Sequence, residues 1–135
     1  MECGAVIAPM IVAGFGFRQG TGLASLRDAL ALAQEGQPAA THLATAADKA
    51  AALMPLAEGL GLPLRGLSPE EIASVATYTH SPASLAARAT GSLAEASALA
   101  AAGPGARLLG PRHVSPDRMA TCALAASLTI QEFLP

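Results

Sequence analysis

Residues 5–36 read AVIAPMIVA, GFGFRQGTG and LASLRDALALAQEG, which are an apolar run, a glycine-rich segment and an amphipathic segment in succession. From Ala5 to Ala13 the apolar residues lack helical spacing, a pattern typical of a strand that is buried on both faces. The glycines between Gly14 and Gly22 predict a loop, and the leucines that follow predict a helix that ends at Gly36. Strand, glycine loop and helix in this order indicate the first unit of an α/β domain.

Further extended segments follow along the chain. Ala40 to Ala44 and Leu62 to Leu67 are predicted to be short strands, and Arg107 to Leu109 is predicted to be another. The run from Met119 to Thr129 is rich in Ala, Leu and Ile, and its length fits either a strand or a helix. These segments supply the strands of a central sheet.

Helix starts are indicated by capping patterns and by proline at the first helical position. The patterns are Thr45 with Asp48, Ser68-Pro69-Glu70-Glu71, Ser81-Pro82, and Ser92 with Glu95. The helix after Thr45 should end near Gly59, and the helix after Ser92 should end at Gly103. Strands that alternate with capped helices predict an α/β fold, a three-layer α/β/α sandwich with a central, largely parallel or mixed sheet in a single domain over residues 1–135.

Composition excludes several classes of protein. The chain has 135 residues, of which 52% are hydrophobic and 13% charged, so it is not a disordered chain. A net charge of -2 and an aromatic content of 3% argue against a nucleic-acid partner. The apolar run before Arg18 is shorter than the roughly 20 residues that span a bilayer, so no membrane helix is expected. Cys3 and Cys122 form no Cys-x-x-Cys pair, and we expect two free thiols in a cytoplasmic protein.

The first candidate site is GFGFRQGT at residues 14–21. Its glycines allow close backbone approach, and Arg18 together with a helix N-terminus offers donors to an anion. The predicted binding residues here are Gly14, Gly16, Arg18, Gly20 and Thr21. The spacing matches neither the dinucleotide fingerprint nor the Walker A loop. A plain glycine turn with a solvated Arg18 is the alternative interpretation.

Two further segments are candidate parts of the same site. Thr45 and Lys49 lie one helical turn apart, and Lys49 is the only lysine of the chain. The segment Thr90-Gly91-Ser92, which leads into Glu95, has the hydroxyl groups and the glycine of a second anion cradle. The alternatives are a solvated lysine in the first case and helix caps in the second.

The remaining reactive side chains do not predict a metal or cofactor site. His42, His80 and His113 are far apart in sequence and form no zinc-binding pair, so no metal is expected. Cys122 lies in an apolar run and is interpreted as a small buried hydrophobic residue. No nucleophile with an evident base is visible, so the sequence assigns no catalytic residue and no cofactor.

Five short motifs occur in a fixed order along the chain. They are GFGFRQGT at residues 14–21, Ala44-Thr45 followed by Lys49, Leu62-Pro63-Leu64, Thr90-Gly91-Ser92-x-Ala94-Glu95-Ala96, and Ala120-Thr121-Cys122-Ala123. Together they resemble the cobalamin biosynthesis family that comprises CobE and the C-terminal domain of the cobalt-precorrin-5A hydrolase CbiG. The resemblance covers almost the whole chain. It implies a role in corrin-ring assembly around ring contraction and lactone opening, with a polycarboxylated precorrin tetrapyrrole as ligand and other cobalamin-pathway enzymes as partners.

Three functional hypotheses remain open at this stage. A pathway enzyme would use Arg18 and Lys49 to fix carboxylates of a lactone-bearing intermediate, and Thr45, Ser92 or Glu95 to assist a water molecule. A binding protein would hold the intermediate and hand it on without chemistry. A small nucleotide-binding domain is the third hypothesis, and the missing fingerprints disfavour it.

Overall fold

The computed structural model describes residues 9–73, 91–103 and 105–128. The strands of the described part are β1 Pro9–Phe17, β2 His42–Ala46, β3 Leu64–Leu67, β4 Arg107–Leu108, β5 His113–Val114 and β6 Ala120–Leu128. Its helices are α1 Leu23–Gln34, α2 Ala50–Leu60, α3 Pro69–Ala73 and α4 Gly91–Ala102, with a 3-10 turn at Ala47–Lys49 before α2.

The strands form one mixed sheet in the order β3-β2-β1-β6-β4, with β5 beside β6. Strands β1, β2 and β3 are parallel, whereas β6 is antiparallel to β1, β4 and β5. The pairing of β6 with β1 runs from Pro9 opposite Leu128 to Phe17 opposite Ala120. The α/β fold class with a mixed sheet is thereby confirmed, and the ambiguous run after Met119 is a strand.

Helices cover both faces of the sheet. Because side chains alternate along a strand, Phe15 and Phe17 of β1 pack on one face, in a core that includes Leu26 of α1 and Leu53 of α2. Val12 packs on the opposite face against α4. The described elements therefore form three layers, with β1 buried at the centre.

The predicted loop at Gly14–Gly22 is wrong over its first four residues, because β1 continues to Phe17. Gly14 lies on the α4 face, where an added Cβ would come within 2.2 Å of the Ala94 carbonyl oxygen and 2.5 Å of the Ala98 nitrogen. The missing side chain thus allows α4 to approach the sheet. Strand β6 supplies backbone partners for this part of β1, so the segment is extended and only residues from Arg18 onward form the turn.

The predicted N-cap at Thr45 is also wrong. Thr45 lies within β2 and is fully buried. The 3-10 turn that follows begins after Ala46, which makes no side-chain capping bond. Burial between neighbouring strands has overridden the local capping pattern.

The capping box before α3 is confirmed. The Glu71 backbone N–H donates to Ser68 Oγ at 3.1 Å, and the Ser68 N–H donates to Glu71 Oε1 at 2.9 Å. Helix α4 begins at Gly91, one residue before the predicted cap, and the Ser81-Pro82 start lies outside the described residues.

Helix ends coincide with left-handed glycines. Gly36 follows α1 with φ +72, and Gly103 follows α4 with φ +93, as predicted. Helix α2, which was predicted to end near Gly59, ends at Leu60, and Gly61 follows it with φ +69. The Leu62 N–H donates to the Ala57 carbonyl, which closes the end of that helix.

Candidate functional site at the carboxyl edge of the sheet

The end of β1 extends beyond its ladder with β2. That ladder covers Val12 to Gly14, so the later carbonyl groups on this side need other partners. Thr45 Oγ1 donates to the Phe15 carbonyl at 2.9 Å, and Lys49 Nζ donates to the Phe17 carbonyl at 3.0 Å. The two side chains that the sequence singled out on this segment thus hold the carboxyl end of β1.

Lys49 makes a second contact with the same residue. Its Nζ lies 5.1 Å from the centre of the Phe17 ring, a cation–π distance. The side chain is half-buried, so it is not simply a solvated lysine. Since an ammonium group has three N–H donors and the described contacts use one on a carbonyl, donors remain for an anion.

A tight turn at residues 18–21 connects β1 to α1. The Arg18 N–H donates to the Met119 carbonyl at 2.9 Å, and Thr21 Oγ1 donates to the same carbonyl at 3.2 Å. Thr21 Oγ1 also donates to the Arg18 carbonyl at 2.5 Å, and Gly20 supplies the positive φ of +84 that the turn requires. The Arg18 side chain is exposed, and its guanidinium forms no hydrogen bond or ion pair with any described residue.

The predicted segment at the start of α4 lies toward the same edge. Arg107, which follows the end of α4, pairs with Ala126 of β6, and Ala126 pairs with Ile11 in the amino half of β1. The last residues of α4 therefore lie near the amino half of β1, and its first residues lie toward the carboxyl half. Thr90 and the Ser92 side chain lie outside the described residues, and Gly91 is the first helical residue. Glu95 is 1% exposed and accepts a hydrogen bond from the Arg112 N–H at 3.4 Å. Like Thr45, it does not reach the solvent-facing rim.

Sequence reasoning missed the β5–β6 hairpin turn. Ser115 Oγ and the Met119 N–H both donate to Asp117 Oδ1, at 2.6 and 3.1 Å, and Ser25 Oγ donates to Oδ2. These bonds, led by that of Ser115, hold the pKa of the Asp117 carboxyl below its usual range. Asp117 thereby fastens the hairpin turn to the first turns of α1. The dipeptide Pro116-Asp117 is a turn signal that could have located it.

Arg118 lies at the tip of this hairpin turn. Its φ is +63, the only positive φ of a non-glycine residue in the described part of the chain. Its N–H donates to the Ser115 carbonyl at 2.8 Å. The side chain is exposed, and its guanidinium has no polar partner among the described residues.

The other reactive groups lie elsewhere. Cys122 is free and fully buried, and burial raises the pKa of its thiol, whereas Cys3 lies outside the described residues. His113 Nδ1 is buried and has no hydrogen-bond partner among the described residues. It borders a cavity of about 10 Å³, which holds about one water molecule. The other lining residues are Ala33, Gln37, Leu109, Gly110, Pro111 and Leu124. A macrocycle cannot enter this space.

Within residues 9–73, 91–103 and 105–128, no three His, Cys, Asp or Glu side chains come together in a way that could hold a metal ion. None of the helices in those ranges is both long and apolar enough to cross a membrane.

Comparisons with known proteins point to one family. A family model described as "Cobalamin synthesis G C-terminus" matches residues 11–125. The cobalamin biosynthesis protein chiG from Agrobacterium tumefaciens str. C58 is 37% identical, with a TM-score of 0.68 and coverage of 86% of this chain and 97% of that chain. CobE, a protein from the cobalamin (vitamin B12) biosynthetic pathway, is 30% identical, with a TM-score of 0.77 and coverage of 94% and 100%.

A third solved structure shares the fold. A cobalamin biosynthesis protein G homologue from Sulfolobus solfataricus is 22% identical, with a TM-score of 0.69, and the match covers 87% of this chain but 36% of that one. No curated protein matches the sequence significantly. The family match includes most of β1, the turn that follows it and the β5–β6 hairpin turn. The chain therefore belongs to the Cobalamin synthesis G C-terminus family, as its motifs predicted.

Proposed function

We propose that the chain binds a polycarboxylated precorrin, around the ring-contraction and lactone-opening stage of cobalamin biosynthesis, at the carboxyl edge of β1. The observation that carries the proposal is that two cationic residues lie at the end of the same strand. Lys49 Nζ is held 3.0 Å from the carbonyl of Phe17, and Arg18 is the next residue of the chain. Precorrins carry acetate and propionate carboxylates, which are the anions that such groups bind.

The sheet topology supports a ligand site at this edge. From β1 the chain continues to β2 and β3 on one side, and the later strand β6 occupies the other side. Strands β1 and β2 are parallel, so their carboxyl ends meet at this edge, and ligands of open α/β sheets bind beyond the carboxyl ends of the strands.

The contacts are of the right magnitude for a micromolar ligand. Two charge-assisted hydrogen bonds supply about 1.5 to 3 kcal/mol each, and micromolar affinity requires about 8 kcal/mol. Apolar burial of the macrocycle must supply the remainder. Leu23, the first residue of α1, is 37% exposed and follows the turn that carries Arg18. It offers apolar surface beside the cations.

The described residues support holding the ligand better than hydrolysing it. Three groups were candidates to assist a water molecule. Thr45 and Glu95 are buried, and Thr45 Oγ1 donates to a backbone carbonyl, whereas the Ser92 side chain lies outside the described residues. The hydroxyl of Ser25 is bonded to Asp117, but a carboxylate whose pKa is lowered is a weak base. Binding and hand-over of the intermediate is therefore the function that we favour.

A titration with a ring-contracted precorrin tests this proposal. Arg18→Ala and Lys49→Met should each weaken binding by about tenfold or more, since about 1.4 kcal/mol corresponds to a factor of ten. Methionine keeps the apolar stem of Lys49 and removes its charge. Arg107→Ala is the control, because Arg107 is exposed beside Ala126, at the far end of the sheet.

The mass of the ligand is measured after incubation in the same experiment. Recovery of unchanged ligand is expected for a binding protein, and conversion by the parent chain would favour the enzyme hypothesis. If Arg18→Ala and Lys49→Met fold and bind as tightly as Arg107→Ala, the proposed site is wrong.

A further inference from the structure

We propose that Arg118 is a third anion-binding residue of this edge. It favours tetrapyrroles that carry two carboxylates on every pyrrole over those that carry one. This inference rests on the proposed function and extends it to the selection of the ligand. Three observations carry it: the position of the hairpin turn, the backbone conformation of Arg118, and the row of cations that results.

The hairpin turn is bonded directly to the turn that carries Arg18. Met119, the neighbour of Arg118, accepts hydrogen bonds at its carbonyl from the Arg18 N–H at 2.9 Å and from Thr21 Oγ1 at 3.2 Å. The two arginines therefore belong to segments that share one carbonyl.

The backbone of Arg118 is held in a conformation that arginine disfavours. Its φ of +63 lies in the left-handed region, which glycine and asparagine adopt at lower cost. The turn is held there by hydrogen bonds from Ser115 Oγ and the Met119 N–H to Asp117, and by the bond from the Ala120 N–H to Ser115 Oγ at 3.1 Å. Residues held in such conformations are frequent at ligand-binding sites, and here the strained residue is an exposed cation without a described partner.

The cations follow the order of the strands. Lys49 follows the end of β2, Arg18 follows β1, and Arg118 precedes β6. Because neighbouring strands are about 4.8 Å apart, the three backbone positions span roughly 10 Å along the edge. Asp48 is next to Lys49 in sequence, and Asp117, which is next to Arg118, already accepts hydrogen bonds on both of its oxygens. Such a row suits several carboxylates spread around a flat ring rather than a single one.

The test uses two porphyrins that differ only in carboxylate content. Uroporphyrin carries an acetate and a propionate on every pyrrole, whereas coproporphyrin has methyl groups in place of the acetates. We expect Arg118→Gly to weaken uroporphyrin binding about tenfold and coproporphyrin binding by less. Arg118→Lys should recover part of the loss, because it restores the charge. Glycine suits the left-handed conformation, so Arg118→Gly should fold as stably as the parent chain.

The outcomes separate this inference from the function on which it rests. If Arg118→Gly binds uroporphyrin as tightly as the parent while Arg18→Ala binds it more weakly, the role of Arg118 is wrong and the proposed function stands. If Arg107→Ala loses as much affinity as Arg118→Gly, general charge attraction explains the effect and the inference is also wrong. If the parent chain does not bind uroporphyrin, both proposals fail.

Discussion

At the scale of single residues, Asp117 connects the β5–β6 hairpin turn with α1 beside the candidate site. Its carboxylate accepts hydrogen bonds from Ser25, Ser115 and the Met119 N–H. Because these bonds lower its pKa, the carboxylate stabilises the fold fully above the pKa of the unfolded state, and this stabilisation is lost as the pH falls through the pKa of the folded state.

We therefore expect the free energy of unfolding of the parent chain to fall over the acid interval that begins at about pH 4, the ordinary pKa of an Asp carboxyl, and extends to lower pH. The free energy of unfolding of Asp117→Asn should be lower than that of the parent at neutral pH. It should decrease less over that interval, because the amide does not titrate there. Urea unfolding followed by circular dichroism at several pH values measures both quantities. Parallel curves for the two proteins would show that Asp117 does not contribute to the pH dependence.

Lys49 could be singled out from the sequence, but its structural role could not be predicted. Its uniqueness is visible in the sequence, but its bond to the carbonyl of Phe17 depends on where the β1–β2 ladder ends. Thr45 was misassigned as a cap for the same reason. The pattern Thr-x-x-Asp is local, whereas burial of Thr45 between strands is a property of the assembled sheet.

At the scale of elements, the contact between β1 and α4 depends on Gly14. An added methyl group would meet the Ala94 carbonyl oxygen and the Ala98 nitrogen, which are backbone atoms that cannot move without shifting the helix. We expect Gly14→Ala to destabilise the chain by about 1 to 3 kcal/mol, as other overpacked core substitutions do. Gly110→Ala is the matched control, because a methyl group there meets nothing within 4 Å. Equal midpoints of chemical unfolding for the two variants would contradict the packing account.

Helix and strand boundaries differ in how well the sequence predicts them. The capping box at Ser68 and Glu71 was predictable, because its two bonds join residues three apart. The end of β1 was misread because glycine usually marks a loop. A period of two is nevertheless present there, since Ile11, Ala13, Phe15 and Phe17 all face one core. Small residues that alternate with large ones indicate a strand with one face closely covered by a helix, as Gly14 is by α4.

At the scale of the whole molecule, the α/β class and the position of the candidate edge followed from the alternation of strands and helices. The antiparallel placement of β6 did not, because it is decided by pairing with β1 over more than a hundred residues of sequence separation. That pairing brings Met119 and Arg118 beside Arg18. The third cation of the edge is therefore a product of the topology and could not be found from local motifs.

Amide chemical-shift mapping by NMR tests the central claim, that the carboxyl edge binds a polycarboxylated tetrapyrrole, most directly. Uroporphyrin is titrated into the isotope-labelled chain, and the amide signals of every assigned residue are followed. The account predicts the largest changes at residues 18–21, 47–49 and 117–120, and little change near Arg107, about 20 Å away along β1 by strand geometry. Changes concentrated near Arg107 and the amino end of β1, with the signals of residues 18–21 unmoved, would contradict it.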